Sequence, residues 1–133
     1  MIKSSTLRLS VAAMALSVLA GCASLGLGGP PEEQVRKRAT ERVDALMMGD
    51  FEKSFSYVAP ALRDTTDWKD HAFRYSGVRN WTKAVVDKVE CADSRCDVTV
   101  LVSYQVARFK ISNTRPLKEV WIEVDGRWYL YYD

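Results

Sequence analysis

The chain has little of what most catalytic and nucleic-acid-binding sites are built from. Among its 133 residues it has one histidine, His71, and three cysteines, none of them in a Cys-x-x-Cys spacing. No metal site and no redox-active dithiol is therefore expected, and no cofactor is implied. No apolar run reaches the roughly 18 to 20 residues of a membrane-spanning helix. Charge of one sign is scarce too: 19 Lys and Arg stand against 17 Asp and Glu. Two of the basic residues, Lys3 and Arg8, fall in a leader-like segment, so from Cys22 onward the signs cancel. A balanced chain lacks the whole-molecule field that grips polyanions, although local patches remain open to it. There is no internal repeat. What is present, 47% hydrophobic and 27% charged residues, is the composition of an ordinary globular protein. The length allows one domain of about 100 residues.

The first thirty residues carry the most specific pattern. Lys3 and Arg8 precede an apolar stretch from Leu9 to Ala20 broken only by Ser10 and Ser17, a charged region and then a hydrophobic one. The stretch closes on Leu19-Ala20-Gly21-Cys22, which resembles the lipobox of bacterial lipoproteins. That resemblance implies a signal peptide over residues 1–21, cleavage before Cys22, and about three acyl chains on the new N-terminus, where two already hold firmly. Ala23 stands where an Asp would often mark retention at the inner membrane, so the implied destination is the outer membrane, facing the periplasm. Export in turn excludes nucleic acid as a partner. Residues 22–31 then run through glycines to Pro30 and Pro31, with no periodic face to bury. As a flexible tether they hold the folded part within roughly 15 to 18 Å of the anchor.

With Cys22 given to lipid, Cys91 and Cys96 are left as a pair. Parity and an oxidising compartment both favour a disulfide between them. Strand-like sequence flanks the pair, and a four-residue hairpin loop between them sets the two opposite each other at bonding distance.

Residues 32–133 are expected to form one α+β domain, with N-terminal helices packed on a curved antiparallel sheet of about four strands. Val35, Ala39, Val43, Leu46 and Met47 recur at helical spacing from Glu32 to Met48. Glu32 and Glu33 are placed to pair with Arg36 and Lys37 one turn on. Gly49 suits a left-handed helix end, and Asp50 suits the cap of a second helix that presents Phe51, Phe55 and Val58 and ends at Pro60. A third helix is expected from Asp67 to Tyr75, with Trp68 or Ala72 and Tyr75 inward and Gly77 ending it. From Val78 the period becomes two. Trp81, Val85 and Val89 mark one strand, Val98 to Val106 a second, and Val120, Ile122 and Val124 a third. Trp128, Leu130 and Tyr132 mark a fourth after the Asp125-Gly126 turn signal. Lys110 to Pro116 reads as the longest break in the sheet.

The Gly49-Asp50 helix end, the following Phe51-Glu52-Lys53-Ser54-Phe55-Ser56-Tyr57, the Pro60 to Arg63 break and the late Asp125-Gly126-Arg127-Trp128-Tyr129 together resemble the nuclear transport factor 2-like superfamily. That superfamily is a cone-shaped α+β fold shared by ketosteroid isomerases, small polyketide cyclases and many exported bacterial proteins of unknown role. The resemblance covers residues 32–133 and speaks to fold rather than to activity. It implies a pocket between helices and sheet.

Several residues are candidates for work in or around that pocket. Asp67 and His71, one helical turn apart, could form a carboxylate-oriented imidazole for acid-base chemistry of an isomerase, dehydratase or cyclase type. The alternative, favoured here, is that Asp67 caps its helix and His71 is a partly exposed surface residue. Tyr57, Tyr75 and Tyr104 either line the pocket or pack as core rings. Strand alternation sets Trp121, Tyr129 and Tyr131 on the face opposite Val120, Ile122, Trp128 and Leu130. One of these faces must then show aromatic surface to a pocket, a second copy or a partner, unless charged stems such as Glu119, Glu123 and Arg127 cover it. Arg108, Lys110, Arg115 and Lys118 make a basic hairpin, either a contact for anionic lipid or glycan or a solvated edge guarded by charge. The expectation is a lipid-anchored, non-catalytic binding or scaffold module of the cell envelope. Its partner is an envelope protein or a small apolar ligand, with a homodimer compatible with either.

Overall fold

The computed structural model describes residues 29–106 and 108–133. The expected signal peptide, the lipidation position Cys22 and most of the tether lie outside the described residues. Among the described residues no helix is long and apolar enough to cross a membrane.

The first helix, α1 (Pro31–Met47), starts where two prolines force it to: Pro30 is extended at the cap and Pro31 occupies the first turn, where its missing N–H is not needed. It ends at Gly49, whose φ of +75° lets the Gly49 and Asp50 N–H groups turn back onto the carbonyls of Leu46 and Ala45. Val35, Ala39, Val43 and Leu46 are buried as their spacing requires, together with Ala45 and Arg42. Met47 is exposed instead. Arg36 does not pair with Glu32 but donates to the main-chain oxygens of Val86 and Asp87 at 2.8 and 3.1 Å.

Short helices follow. Asp50 caps α2 (Phe51–Phe55) by accepting from the Lys53 N–H. Pro60 opens α3 (Pro60–Arg63) rather than closing α2, because a first-turn position is where a helix tolerates proline best. Between them the chain runs extended along the sheet, with Leu130 N–H donating to Tyr57 O and Ala59 N–H to Leu130 O. Helix α4 (Trp68–Arg74) starts in a capping box of Asp67 and Asp70. It passes at Tyr75 into a 3-10 turn (Ser76–Asn80), so Gly77 lies inside that turn and not at the helix end. The face α4 buries is His71, with Trp68 exposed.

The sheet is a four-stranded antiparallel meander in the order β1 (Trp81–Ala92), β2 (Arg95–Val106), β3 (Ile111–Val124) and β4 (Arg127–Tyr131). Its first turn is tighter than expected: Ala92 pairs Arg95, so only Asp93 and Ser94 are unpaired, and Cys91 and Cys96 face each other as cross-strand partners joined by a disulfide. The Asp125-Gly126 turn has positive φ at both residues, as a type I′ hairpin requires. The β2–β3 connection is not a long break, since pairing runs to Val106 and Ile111. Pro116 sits in β3 beyond the reach of β4, where the strand edge is free and its missing N–H costs no ladder bond.

Two register shifts in β1, between Trp81 and Lys83 and between Val86 and Lys88, undo the simple alternation expected there. Each adds a residue and resets the phase, so Trp81, Ala84, Val86 and Val89 face the helices and Val85 faces out. In β3 the phase is likewise the reverse of that expected: Glu119 and Trp121 are buried, whereas Val120 and Ile122 are partly exposed on the other side. The core is therefore the α1 stripe against Cys96, Val98, Val100, Val102, Trp121, Trp128 and Leu130.

Candidate functional site

The concave face of the sheet holds an unusual polar core. Arg42 on α1 and Glu119 on β3 are both buried, and Arg42 Nη1 donates to Glu119 Oε1 at 2.7 Å. The second carboxylate oxygen accepts from Trp121 Nε1 at 3.0 Å. The guanidinium also stacks 4.8 Å from the centre of the Tyr75 ring. The carboxylate is thus satisfied by a charge and a neutral donor, the condition under which a buried acid is tolerated.

A second cluster lies beside it. His71 is 1% exposed, with Nε2 at 2.9 Å from Ser54 Oγ and Nδ1 at 3.1 Å from the Tyr132 hydroxyl. Burial, and then the nearby guanidiniums of Arg42 and Arg74, hold its pKa down to about 4, so at neutral pH the imidazole is uncharged and one nitrogen donates while the other accepts. Tyr75 stacks on it at 4.8 Å between ring centres. Burial pushes the Tyr75 and Tyr132 hydroxyls above their ordinary value, so both are neutral. Arg74 lies over the Tyr132 ring at 4.2 Å and donates to the Asp133 carbonyl at 2.7 Å.

Two open clefts flank this cluster and share Arg74 and Tyr132 as their common wall. One, of about 340 Å³, is lined by Thr66, Asp70, His71 and Phe73 as well. The other, of about 310 Å³, is lined by Tyr75, Gly77, Val78, Trp81, Leu117 and Lys118. Both are shallow and open, and the surface they expose is mostly carbon although several of the lining side chains are polar or charged.

The expected acid-base residues do not meet as a hydrogen-bonded pair. The Asp67 carboxylate accepts from the Lys69 and Asp70 N–H groups of its own helix, and His71 turns its ring to Ser54 and Tyr132. His71 is also not the partly exposed surface residue anticipated, because α4 packs that side onto α2. The Ser54–His71 contact has the elements of a nucleophile and base, yet Ser54 is fully buried and the other imidazole nitrogen meets a tyrosine rather than a carboxylate. Among the described residues no three or more His, Cys, Asp or Glu cluster as a metal site would need.

The tyrosines separate. Tyr75 lines a cleft. Tyr57 is buried with its hydroxyl donating to Glu41 at 3.0 Å, which together with burial raises its pKa. Tyr104 lies under Arg115, 5.7 Å from its guanidinium. Arg38 stands between the rings of Tyr57 and Tyr129. Trp121 is not on an exposed aromatic face but at the centre of the core, whereas Tyr131 is exposed. Arg42, Ser54, Arg74 and Glu119 were not anticipated as site residues. Arg42 had a signal in the sequence, since it interrupts the apolar spacing of Val35, Ala39 and Leu46 on the same helical face.

No protein-family model and no curated protein matches the chain. Solved structures do. A protein from Campylobacter jejuni assigned as a nuclear transport factor 2-like transpeptidase superposes with a TM-score of 0.55 at 13% identity, covering 79% of this chain and 100% of that one. A SEC-C motif containing protein from Psychrobacter arcticus gives 0.58 at 12% identity, over 77% of this chain and 61% of that one. Another from Rhodopseudomonas palustris gives 0.53 at 17% identity, over 68% and 70%. At such identities the likeness concerns fold alone: four helices over an open, curved four-stranded antiparallel sheet make this domain a nuclear transport factor 2-like cone.

Proposed function

We propose that this protein is a lipid-anchored, non-catalytic binding module of the bacterial envelope, held at the outer membrane by Cys22 and facing the periplasm, with the paired clefts around Arg74 and Tyr132 as its ligand site. The observation that carries the non-catalytic part is the state of His71. It is the chain's one imidazole, and both of its nitrogens are engaged by hydroxyls while the ring is buried and neutral. A general base needs a nitrogen free to take a substrate proton; this histidine borders the first cleft, but Ser54 and Tyr132 engage both of its nitrogens. Its geometry is that of a positioning residue that fixes Tyr132 in the cleft wall. The clefts suit a small ligand with an apolar body. An envelope protein or a second copy meeting the outer sheet face, where Tyr129 and Tyr131 lie beside Val120 and Ile122, is the accompanying partner reading.

Native mass spectrometry of the full-length protein, extracted from its own envelope in mild detergent, tests this. The expected result is an intact mass carrying acyl groups on Cys22 and a co-purifying small molecule that is lost on Tyr132→Ala. An unlipidated chain removes the anchor. Turnover of the co-purified compound that depends on His71 replaces the binding reading with the alternative, a small isomerase, dehydratase or cyclase.

A further inference from the structure

The concave face of the sheet runs past the layer that covers it. β1 pairs with β2 only as far as Tyr104, and β4 reaches only Val120 on β3. Beyond those points β2 and β3 continue alone, through Gln105 and Ser112 to Val106 and Ile111, as a two-stranded ribbon that, among the described residues, has no strand paired to either edge. Such a ribbon has no core of its own. Yet its end is apolar: Val106 is 39% exposed, Ile111 53% and Phe109 68%. Val106 and Ile111 are cross-strand partners, and Phe109 N–H donates to Val106 O at 3.0 Å in the turn that joins them.

The charge around these side chains has one sign. Arg108 and Lys110 alternate with Phe109 at the tip, Arg115 follows on β3, and no Asp or Glu occurs between Asp97 and Glu119. Exposed rings and branched aliphatics interleaved with cations are what a polypeptide presents to the boundary between headgroups and acyl chains of an anionic bilayer: the apolar groups enter the boundary and the cations stay at the phosphates. A solvated edge strand needs the charges but not the three apolar groups.

We propose that the tip of the β2–β3 hairpin is a membrane-contact element that inserts Phe109 between anionic lipid headgroups, with Val106 and Ile111 behind it and Arg108 and Lys110 on the phosphates. The inference leans on the anchored reading only for proximity to a bilayer, and it fixes which end of the domain faces that bilayer.

The test uses the full chain carrying Phe109→Trp, mixed with vesicles containing bromine-labelled phosphatidylcholine, the bromines quenching any indole that reaches the acyl region. The unaltered chain, with its four tryptophans, supplies the background. In vesicles with one-quarter phosphatidylglycerol, at least half of the added emission should be quenched. In pure phosphatidylcholine, and with Arg108→Glu and Lys110→Glu together, quenching should fall at least fivefold. Added emission that stays unquenched on the anionic vesicles overturns the proposal, and equal quenching on both lipids overturns its ionic part. The mass of Cys22 reports the anchor independently, so an unlipidated chain with a quenched tip and a lipidated chain with an unquenched one separate the two readings.

Discussion

The two ends of β2 carry the same sequence pattern and meet opposite fates. From Cys96 through Val98, Val100 and Val102 to Val106, every second residue is apolar and points to the concave side. At the first end Cys96 and Val98 are fully buried, under α1 and between strands, with the Cys91 disulfide closing the turn. At the other end Val106 is 39% exposed, and among the described residues no strand pairs beside the ribbon there. Alternation defines a face, and only a second layer turns that face into a core. The covered end has become so enclosed that it holds a buried ion pair, whereas the uncovered end keeps its charges at the surface and its apolar groups unburied.

The comparison breaks hardest at Glu119. Glu119→Ala leaves Arg42 charged, buried and without its partner, and removing one member of such a pair costs about 3–5 kcal/mol. Arg42→Met combined with Glu119→Leu should recover the part of that loss due to the unpaired charge, leaving the smaller cost of the buried Trp121 N–H that has lost its acceptor. Val98→Ser, on the same face of β2, should cost about 3 kcal/mol through a hydroxyl and a void in the core. Urea unfolding midpoints check all three, and a wild-type midpoint for Glu119→Ala would show that water reaches Arg42.

Reducing the disulfide comes next. For so short a loop, chain entropy gives about 2 kcal/mol. The loss should appear as faster amide exchange along Cys91 to Val98 with exchange along Gln105 to Ser112 unchanged, since the stapled end and the ribbon share a strand but no cover. Equal acceleration at both ends would mean that the hairpins unfold as one unit.

The covered end should also feel pH through His71. Its folded pKa, about 4, lies below the ordinary 6.5, so between these values the unfolded chain binds the extra proton. The stability this represents is fully present above pH 6.5 and drains away as pH falls toward 4. Allowing for solvent screening, it amounts to about 1–2 kcal/mol. Stability profiles from pH 7 to 4 should slope less in His71→Gln, and identical slopes would place the imidazole in contact with water.

The elements were legible in the sequence where one physical cause acts alone. The proline pair and Gly49 bound α1, Asp50 and Asp67 cap their helices, and Asp125-Gly126 turns a hairpin, all through local chemistry. The strand faces were less legible. Two bulges in β1 exchange Val85 for Val86, and the β3 phase depends on Glu119 being buried, which looks wrong until Arg42 is set opposite it. Each charge by itself reads as surface; together they read as core. The site suffered for the same reason. Asp67 and His71 are adjacent on a helical wheel, but the partners of His71 come from residues 17 positions before it and 61 after, and no spacing rule connects them.

The smallest expected effect is the sharpest statement about the uncovered end. Val106→Ser exchanges the same atoms as Val98→Ser, on the same strand, face and alternation. If burial under a second layer is what converts pattern into stability, the change at position 106 should move the unfolding midpoint by no more than about 0.5 kcal/mol, the usual range for a surface site. At 39% exposure the side chain is already partly hydrated in the folded domain, so replacing it opens little void and strands no polar group. A loss near that of Val98→Ser would mean that something covers the ribbon in solution, either a second copy or another segment of this chain. Repeating the measurement across a hundredfold range of protein concentration distinguishes these, since only the second copy makes the midpoint rise with concentration.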